Sequence, residues 1–292
     1  MLKKKIQRYL DRLLDILFGL ALLVMGWIFC QVFLFTSFKI PTDSMEPTLI
    51  PGDEVLVFKP LTGARLFNLT KALNLEQTDI YRIPGLRKIR HNDVLVFNFP
   101  HPNNWGKIEM HILKYYIKRC VALPGDTLSI RNGYFHVSGY TGNLGNTDAQ
   151  RRISLSKSAD FPKEVYNGFP YDSLLNWNIR NFGPLFIPRS GSSVAMDRNG
   201  VVLYRKPIEW EQGKKLVYKN STVLLGDSVI HSYTFTKNYY FMAGDHGENS
   251  QDSRYWGLLP EEYIVGKAVR IWKSVDKYTD EIRWNRIWKE IR

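Results

Sequence analysis

Cysteine is nearly absent from this chain of 292 residues, which contains only two. Cys30 lies inside a long apolar run, whereas Cys120 lies in a strand-like segment far beyond it. A disulfide would have to join a lipid-buried position to a folded domain. We therefore expect two free thiols and a fold that no disulfide stabilises.

The sequence also lacks the signatures of several enzyme classes. It has no G-x-S-x-G nucleophile elbow, and its six histidines form no H-E-x-x-H pair and no Cys/His cluster. Ser228 follows the letters GD, as the nucleophile does in chymotrypsin-like proteases, but the glycines that come next there are missing, so we expect a structural serine. These absences argue against a zinc enzyme, and we expect no metal and no cofactor.

Basic residues outnumber acidic ones, and the net charge of +12 suggests an anionic partner. Zinc-finger spacing, an RNA-binding aromatic pattern and a basic helix are all missing, so we expect no nucleic acid. With 44% hydrophobic and 23% charged residues, the composition is that of a folded globular protein rather than a disordered one.

One long apolar run is present, at residues 16–35, and it carries no charge. A helix of about 20 residues spans about 30 Å, which matches the hydrocarbon thickness of a bilayer. The run is too long for a cleavable signal peptide, and no Ala-x-Ala-like site follows it before Pro41. We therefore predict a single retained signal anchor at residues 16–36.

Basic residues flank this anchor unequally. Only Lys39 follows it closely, whereas five precede it: Lys3, Lys4, Lys5, Arg8 and Arg12. The positive-inside rule then places residues 1–15 in the cytoplasm and the chain from about residue 37 onward outside it.

Most signals after residue 50 are those of β-strands. Runs of β-branched and aromatic residues predict strands within 53–59, 92–100, 239–245 and 262–275, and residues 115–137 predict three strands joined by a Pro-Gly-Asp turn and a tight Asn-Gly turn. We predict a mainly β fold, with one β domain formed by residues 37–130 and 238–280. Residues 60–90 read as an inserted loop or helix. Residues 131–237 read as an inserted β-rich cap domain with a further hairpin at the letters RNG, 198–200.

The last twelve residues, 281–292, predict an amphipathic helix. Trp284, Ile287, Trp288 and Ile291 recur at the spacing of one helical face, with basic residues around them. Such a helix could pack on its own domain or lie on an anionic lipid surface, and the sequence leaves both readings open.

Ser44 is the first candidate for chemistry, because its surroundings are rigid. Pro41 and Pro47 fix their own φ angles and restrict the residues before them, as a preorganised nucleophile requires. Thr42 could place a hydroxyl beside the backbone N–H of Ser44. The alternative is a plain turn after the anchor that contains an incidental serine.

A nucleophilic serine needs a base, and without a convincing histidine that base could be a lysine. The ordinary lysine pKa is near 10.4, and burial can lower it by about 3–5 units. Lys118 lies in a strand-like run, with Tyr116 and Cys120 on its own face of the strand. The alternative is an exposed lysine on an edge strand.

A third segment, residues 242–268, places many polar side chains in one turn-rich loop: Asp245, Glu248, Ser250, Asp252, Ser253 and Arg254. The loop could be a solvated connection between strands. It could equally orient a catalytic amine through its hydroxyls and carboxylates.

Together these segments resemble the motifs of the bacterial type I signal peptidases, membrane-anchored serine proteases with a Ser/Lys dyad. PTDSMEPTL (41–49) is similar to the serine motif and GDEVLV (52–57) to the strand after it. YIKRCVALPGD (116–126) is similar to the lysine motif, and GDHGENSQDSRYWGLLPEEYIVGKA (244–268) to the last motif. The motifs cover well under half of the chain but follow in the family's order, after a suitable anchor.

The resemblance implies a signal-peptidase-like catalytic β domain and a role for each matching residue. Ser44 would be the nucleophile, Lys118 the general base, and Ser250 would hold the lysine amine. The Ser44 N–H and the Thr42 hydroxyl would form the oxyanion hole. The supporting charged residues would be Asp252, Arg254, Asp245 and Arg119, and the substrate pocket would use Ile40, Pro41, Met45, Leu49, Tyr116 and Ile117.

The resemblance further implies removal of signal peptides from exported preproteins at the bacterial inner membrane, with cleavage after a small residue and a second small residue at −3. The substrate would bind as an added β-strand. Expected partners are signal-peptide-bearing preproteins, membrane lipid and the secretion translocon.

The chain departs from the family pattern at three positions. His246 and Gly247 stand where an Asn-Arg pair is usual, and Thr42 replaces a frequent serine. Lys118 stands where the eukaryotic relatives have histidine. Two alternatives remain at this point: another Ser/Lys processing peptidase of the same superfamily, and a non-catalytic membrane-anchored β domain that binds exported chains.

Overall fold

A computed structural model describes residues 2–74, 76 and 78–292. The chain begins with helix α1 (Leu2–Phe29), which continues through one π-helical turn, Cys30–Leu34. Residues Tyr9–Leu34 form the one helical segment, within the described part of the chain, that is long and apolar enough to cross a membrane, and its apolar residues are not buried by protein. The predicted span of 16–36 extends two residues too far, because Phe35 and Thr36 already belong to a strand.

A seven-stranded sheet forms the centre of the molecule. Its strands, in chain order, are β1 (Phe35–Lys39), β2 (Asp53–Phe58), β5 (Val94–Asn98), β6 (Tyr115–Ala122), β15 (Tyr239–Ala243), β16 (Leu259–Pro260) and β17 (Ile264–Ser274). Their spatial order is β1-β2-β17-β5-β6-β15-β16, and every neighbouring pair is antiparallel. Alternate residues of β2 are buried, whereas every residue of β5 and β15 is buried, as the central strands of a sheet covered on both faces require.

Shorter elements surround this sheet. The strands are β3 (Arg65–Phe67), β4 (Ile80–Arg82), β7 (Thr127–Arg131), β8 (Tyr134–Val137), β9 (Phe182–Phe186), β10 (Ser193–Ala195), β11 (Leu216–Lys219), β12 (Thr222–Leu225), β13 (Ser228–Val229) and β14 (Ser232–Thr234). The helices are α2 (Leu69–Leu73), α3 (Thr147–Leu155), α4 (Lys163–Tyr166), α5 (Arg198–Gln212) and α6 (Ser253–Trp256). The predicted mainly β fold is confirmed, as are the predicted strands at residues 53–59, 92–100, 239–245 and 262–275.

The turns between the strands follow local chemistry where glycine and asparagine dictate it. Asn132 and Gly133 both have positive φ, at 47° and 86°, as the predicted tight turn between β7 and β8 requires. Residues 60–90 form the β3–β4 pair with α2 between its strands, so the predicted loop or helix is in part a small sheet. Residues 75 and 77 of this segment lie outside the described residues.

The hairpin predicted at residues 198–200 is wrong, because these residues begin helix α5. The side chain of Asp197 accepts a hydrogen bond from the backbone N–H of Gly200, at 2.7 Å, and so caps the first turn. Val201, Tyr204 and Ile208 then follow at helical spacing and are buried. Capping and amphipathic burial therefore outweigh the turn signal of Asn-Gly.

The helix predicted at residues 281–292 is also wrong. Trp284–Arg286 form one 3₁₀ turn, residues 287–288 continue as a turn, and isolated bridges on either side pair Arg270 with Glu290 and Val275 with Ile282. Strand β5 accompanies only the first part of β17, so this segment satisfies the backbone groups of the second part. The segment packs on its own domain through the buried Ile291, while Trp284 and Trp288 are exposed.

Both cysteines are free thiols, as predicted: Cys30 is exposed and Cys120 is buried. Ser228 lies exposed in the short strand β13, and its structural role stays a prediction.

Candidate active site

Ser44 lies in the loop between β1 and β2, and this loop is closed by backbone hydrogen bonds at its base. Ile40 donates to Asp53 at 2.8 Å, and Gly52 donates to Ile40 at 2.9 Å. Met45 and Leu49 have no exposed surface and pack with the core under β2. Apolar anchors on one side of the loop thus leave the Ser44 hydroxyl on the other side, where it is only partly buried.

Lys118 lies on β6, an inner strand between β5 and β15, so the reading of an exposed edge lysine is wrong. Its side chain is buried, with 4% of the residue exposed. The Nζ donates a hydrogen bond to Oγ of Ser44 at 2.5 Å, across 74 residues of sequence. The structure therefore brings together the two side chains that the sequence singled out as nucleophile and base.

The environment of Lys118 favours a neutral amine. Burial lowers its pKa to about 8, against the opposing attraction of Asp252. No carboxylate of the described chain lies within 4.0 Å of the Nζ, and the ring centroid of Tyr116 is 5.6 Å away. At a pKa of 8, roughly one amine in ten is neutral at pH 7, compared with fewer than one in a thousand for an ordinary lysine.

Arg119, the next residue of β6, forms a buried ion pair with Asp245. Its Nε and Nη2 donate to the two carboxylate oxygens at 2.7 and 2.6 Å. Thr48, from the serine loop, donates to the same carboxylate at 2.5 Å, and Nη1 of Arg119 reaches the backbone oxygen of Arg292 at 2.8 Å. The pair therefore ties together the serine loop, β6, the last loop and the end of the chain. No pattern in the sequence indicated that Thr48 would take part.

A second buried ion pair joins Asp252 and Arg254. The carboxylate of Asp252 accepts from Nε and Nη2 of Arg254 at 2.9 and 2.8 Å, and from the backbone N–H of Gly244 at 2.8 Å. Burial alone would raise the pKa of Asp252, but the guanidinium and these hydrogen bonds hold it below its usual value. Asp252 also caps α6, so one carboxylate fixes both ends of the loop.

Ser250 is buried, but the predicted hydrogen bond to the Lys118 amine is not formed. The amine is directed at Ser44 instead, and Oγ of Ser250 forms no well-aligned hydrogen bond among the described residues, although it lies near enough to Asp252 to help lower the pKa of that carboxyl. The hydroxyl is packed against Gly244, where a Cβ would come within 2.0 Å of it.

Gly247, which replaces a usual arginine, lies against helix α3. A Cβ at this position would approach the side chain of Ile153 to 2.9 Å and that of Ala149 to 3.3 Å, so there is little room for a larger residue. Arg152 of the same helix pairs with Glu248 at 3.0 Å. Contacts with α3 therefore support the last loop where the family pattern has an arginine.

The other departures from the family pattern lie beside Ser44. The Thr42 hydroxyl is 3.5 Å from Oγ of Ser44, and the backbone N–H of His246 donates to the backbone oxygen of Ser44 at 3.2 Å. Ligand-type atoms of Asp43, Glu46 and His246 lie within 4.8 Å of one another. Asp43 already accepts from Asn249 at 2.8 Å, so this group links the serine loop to the last loop, and the absence of a metal stays a prediction.

The residues expected to contact substrate fall into two groups. Pro41 is exposed, and Tyr116 and Ile117 are partly exposed, so their side chains can meet a bound peptide. Ile40, Met45 and Leu49 are buried in the core beneath the serine loop and can form only the floor of a pocket.

Three comparisons identify similar proteins. The family model described as signal peptidase, peptidase S26, matches residues 11–273. The signal peptidase I of Buchnera aphidicola from Acyrthosiphon pisum is 30% identical over 266 residues, which are 87% of this chain and 74% of the relative. That of Pseudomonas aeruginosa is 28% identical and covers 83% and 66% of the two chains. A crystal structure of a signal peptidase I from Enterococcus faecalis matches with a TM-score of 0.29 and 17% identity, over 62% of this chain and 96% of the other.

Proposed function

The chain belongs to the signal peptidase family, peptidase S26, and from that membership we propose that it cleaves signal peptides from exported preproteins with Ser44 as nucleophile and Lys118 as general base. The hydrogen bond of 2.5 Å between the Lys118 amine and the Ser44 hydroxyl carries the proposal. Serine and lysine in contact, with the lysine buried, meet the two requirements for an activated hydroxyl.

The reaction is an acyl transfer in two stages. Oγ of Ser44 attacks the carbonyl carbon of the scissile bond, and its proton passes to the neutral Nζ of Lys118. The C–N bond then breaks and the leaving amine takes that proton. In the second stage a water molecule gives a proton to Nζ, attacks the ester and releases the Ser44 hydroxyl with its proton restored.

Negative charge develops on the carbonyl oxygen during both stages. The backbone N–H of Ser44 and the hydroxyl of Thr42 are the donors proposed to stabilise it. The closed base of the serine loop supports this assignment, because donors fixed before the reaction need no reorganisation during it. The ion pairs Asp252–Arg254 and Arg119–Asp245 keep the loops around the dyad in place, and the Ser250 hydroxyl lies beside the Asp252 carboxylate.

The substrate is proposed to bind as an added strand with small side chains at −1 and −3. Pro41, Tyr116 and Ile117 would form the walls of the shallow pockets, and the buried Met45 their floor. The membrane-anchored protein is proposed to keep its basic amino terminus in the cytoplasm of a bacterium and its β domain outside the inner membrane, where preproteins, lipid and the secretion translocon meet it.

The test is cleavage of a preprotein by the full-length protein in detergent. Ser44→Ala and Lys118→Ala should each lower kcat/KM by at least about 10²-fold, since a general base contributes that much or more. Ser228→Ala and Lys206→Gln are matched controls and should stay within about threefold of the parent. Lys206 is the sharper control, because burial lowers its pKa to about 8 as well, but its Nζ contacts the backbone oxygen of Trp256. Cleavage by either dyad variant at the parent's rate would refute the assignment.

A further inference from the structure

A small cavity of about 120 Å³ lies where the anchor meets the sheet, away from Ser44. The residues that line it include Thr36, Phe38, Lys59, Arg65 and Tyr115. Thr36 is the second residue after the membrane span, which ends at Leu34, so the cavity lies at the level where the chain leaves the hydrocarbon. Lipid headgroups occupy that level of a bilayer.

Lys59 is bound to the last turns of the anchor at several points. Its backbone N–H donates to the oxygen of Leu34 at 2.9 Å, and its Nζ donates to the oxygens of Gln31 and Val32 at 2.5 and 3.3 Å. Burial and then repulsion from Arg65 lower its pKa to about 8. The amine is therefore held in place at the end of the anchor with positive charge beside it.

Arg65 and its neighbour Arg82 are held in the same unusual way, by backbone oxygens alone. Arg65 donates to Glu262 and Tyr263 at 3.1 and 3.2 Å, and Arg82 donates to backbone oxygens that include that of Ile264 at 2.6 Å. Burial and then Arg82 lower the pKa of Arg65 to about 9.

No carboxylate lies within 4.0 Å of these three cations in residues 2–74, 76 and 78–292, although Asp and Glu pair with many other basic residues of this chain. The three side chains are partly buried, and Glu261 and Glu262 attract Arg82 only from beyond that distance. Removing cations from water without a close counter-charge is costly, and an anion that enters the cavity lowers that cost.

We propose that this cavity binds a phosphate group, supplied by an anionic lipid headgroup, through Lys59 and Arg65. Guanidinium and ammonium groups are the usual protein donors to phosphate, and Thr36 adds a hydroxyl beside them. Phe38 and Tyr115 form an apolar wall that suits the glycerol and the start of the acyl chains. A bound headgroup fixes the height of the β domain on the membrane through Lys59, which holds the anchor as well.

The experiment measures lipid affinity with the full-length protein in a neutral detergent. Short-chain phosphatidylglycerol, short-chain phosphatidylcholine and inorganic phosphate are each titrated, and the apparent Kd is taken from the ligand-induced rise in Tm. The parent should bind phosphatidylglycerol at least about tenfold more tightly than either of the other two, since two cations favour a net anionic lipid and the acyl chains add apolar contact.

Three variants make the test specific. Arg65→Gln should weaken phosphatidylglycerol binding by about tenfold, Arg65→Lys should stay within about threefold, and Lys71→Gln, which removes an exposed positive charge from α2, should bind as the parent does. Arg65→Lys also checks that loss of binding does not reflect loss of folding. Equal affinity of the parent and Arg65→Gln would overturn the proposal, and equal affinity for inorganic phosphate and phosphatidylglycerol would overturn the lipid source in favour of a soluble anion.

Discussion

Two neighbouring residues of β6 lie in different electrostatic surroundings. Lys118 and Arg119 are 4% and 7% exposed, so both are buried cations on the same strand. Arg119 points to one side and is paired with both oxygens of Asp245, whereas Lys118 points to the other side and contacts only a hydroxyl. Because successive side chains point to opposite faces of a strand, the cation that is paired with a carboxylate and the cation that is not lie on opposite faces of β6.

This difference in charge pairing suits the two side chains to different roles. A paired guanidinium stays charged and connects loops, because its two parallel hydrogen bonds fix geometry. An unpaired amine in a buried position gives up its proton more easily, and its pKa of about 8 follows from that burial. The strand thus provides structural support on one side and, in the proposed mechanism, a proton acceptor on the other, one residue apart.

Breaking the Arg119–Asp245 ion pair should have the largest effect on the free energy of unfolding. Asp245→Asn leaves Arg119 buried without its counter-ion, and such a change destabilises a fold by about 3–5 kcal/mol. Thermal unfolding in detergent should show a clear fall in Tm. Asp172→Asn removes the carboxylate of the more exposed pair with Arg198 and should lower Tm much less. A similar Tm for both variants would show that the buried Arg119–Asp245 pair stabilises the fold no more than the more exposed Arg198–Asp172 pair does.

Replacing Lys118, which has no paired carboxylate, should raise the free energy of unfolding rather than lower it. Lys118→Met removes a charge that the fold buries without a partner, so it should raise the stability at pH 7 by about 1–3 kcal/mol while abolishing cleavage. The sign follows from linkage: the pKa is near 8 in the folded state and near 10.4 unfolded, so the penalty is full below pH 8 and fades as pH rises toward 10. The Tm difference between Lys118→Met and the parent should therefore shrink between pH 8 and pH 10. A Lys118→Met variant that is less stable than the parent at pH 7 would show that burial of the unpaired amine does not destabilise the fold.

Sequence patterns predicted this strand and its partners well, because the signals were local. β-branched and aromatic runs located the core strands of the sheet, and an uncharged run located the anchor. The contact between Ser44 and Lys118 was predictable for a different reason: the two residues occur in motifs of a known family, while their contact spans 74 residues. The neighbours of Lys118 alone did not decide its burial, because a lysine in such a run could equally lie exposed on an edge strand.

Other features depend on tertiary contacts that no local pattern records. Residues 281–292 have helical periodicity, but bridges at Ile282 and Glu290 hold the segment along β17, so that only one 3₁₀ turn forms. The Asn-Gly pair at 199–200 resembles a hairpin turn, yet Asp197 caps a helix there. Thr48 joins the Asp245 carboxylate only because the serine loop folds over it, and the cations around Lys59 come together from segments that share no motif.

The smallest change is expected in the pKa of the Lys118 amine when a nearby negative charge is removed. The rate of cleavage should rise with pH, with an apparent pKa near 8, if the neutral form of Lys118 acts as the base, as proposed above. Asp43, next to the nucleophile and partly exposed, is among the charges that raise this pKa. Asp43→Asn should therefore shift the acidic limb of the pH–rate profile downward by less than about one unit, and Asp43→Glu should leave it in place. A shift to higher pH in Asp43→Asn would show that the hydrogen bond to Asn249, rather than the charge, governs the lysine.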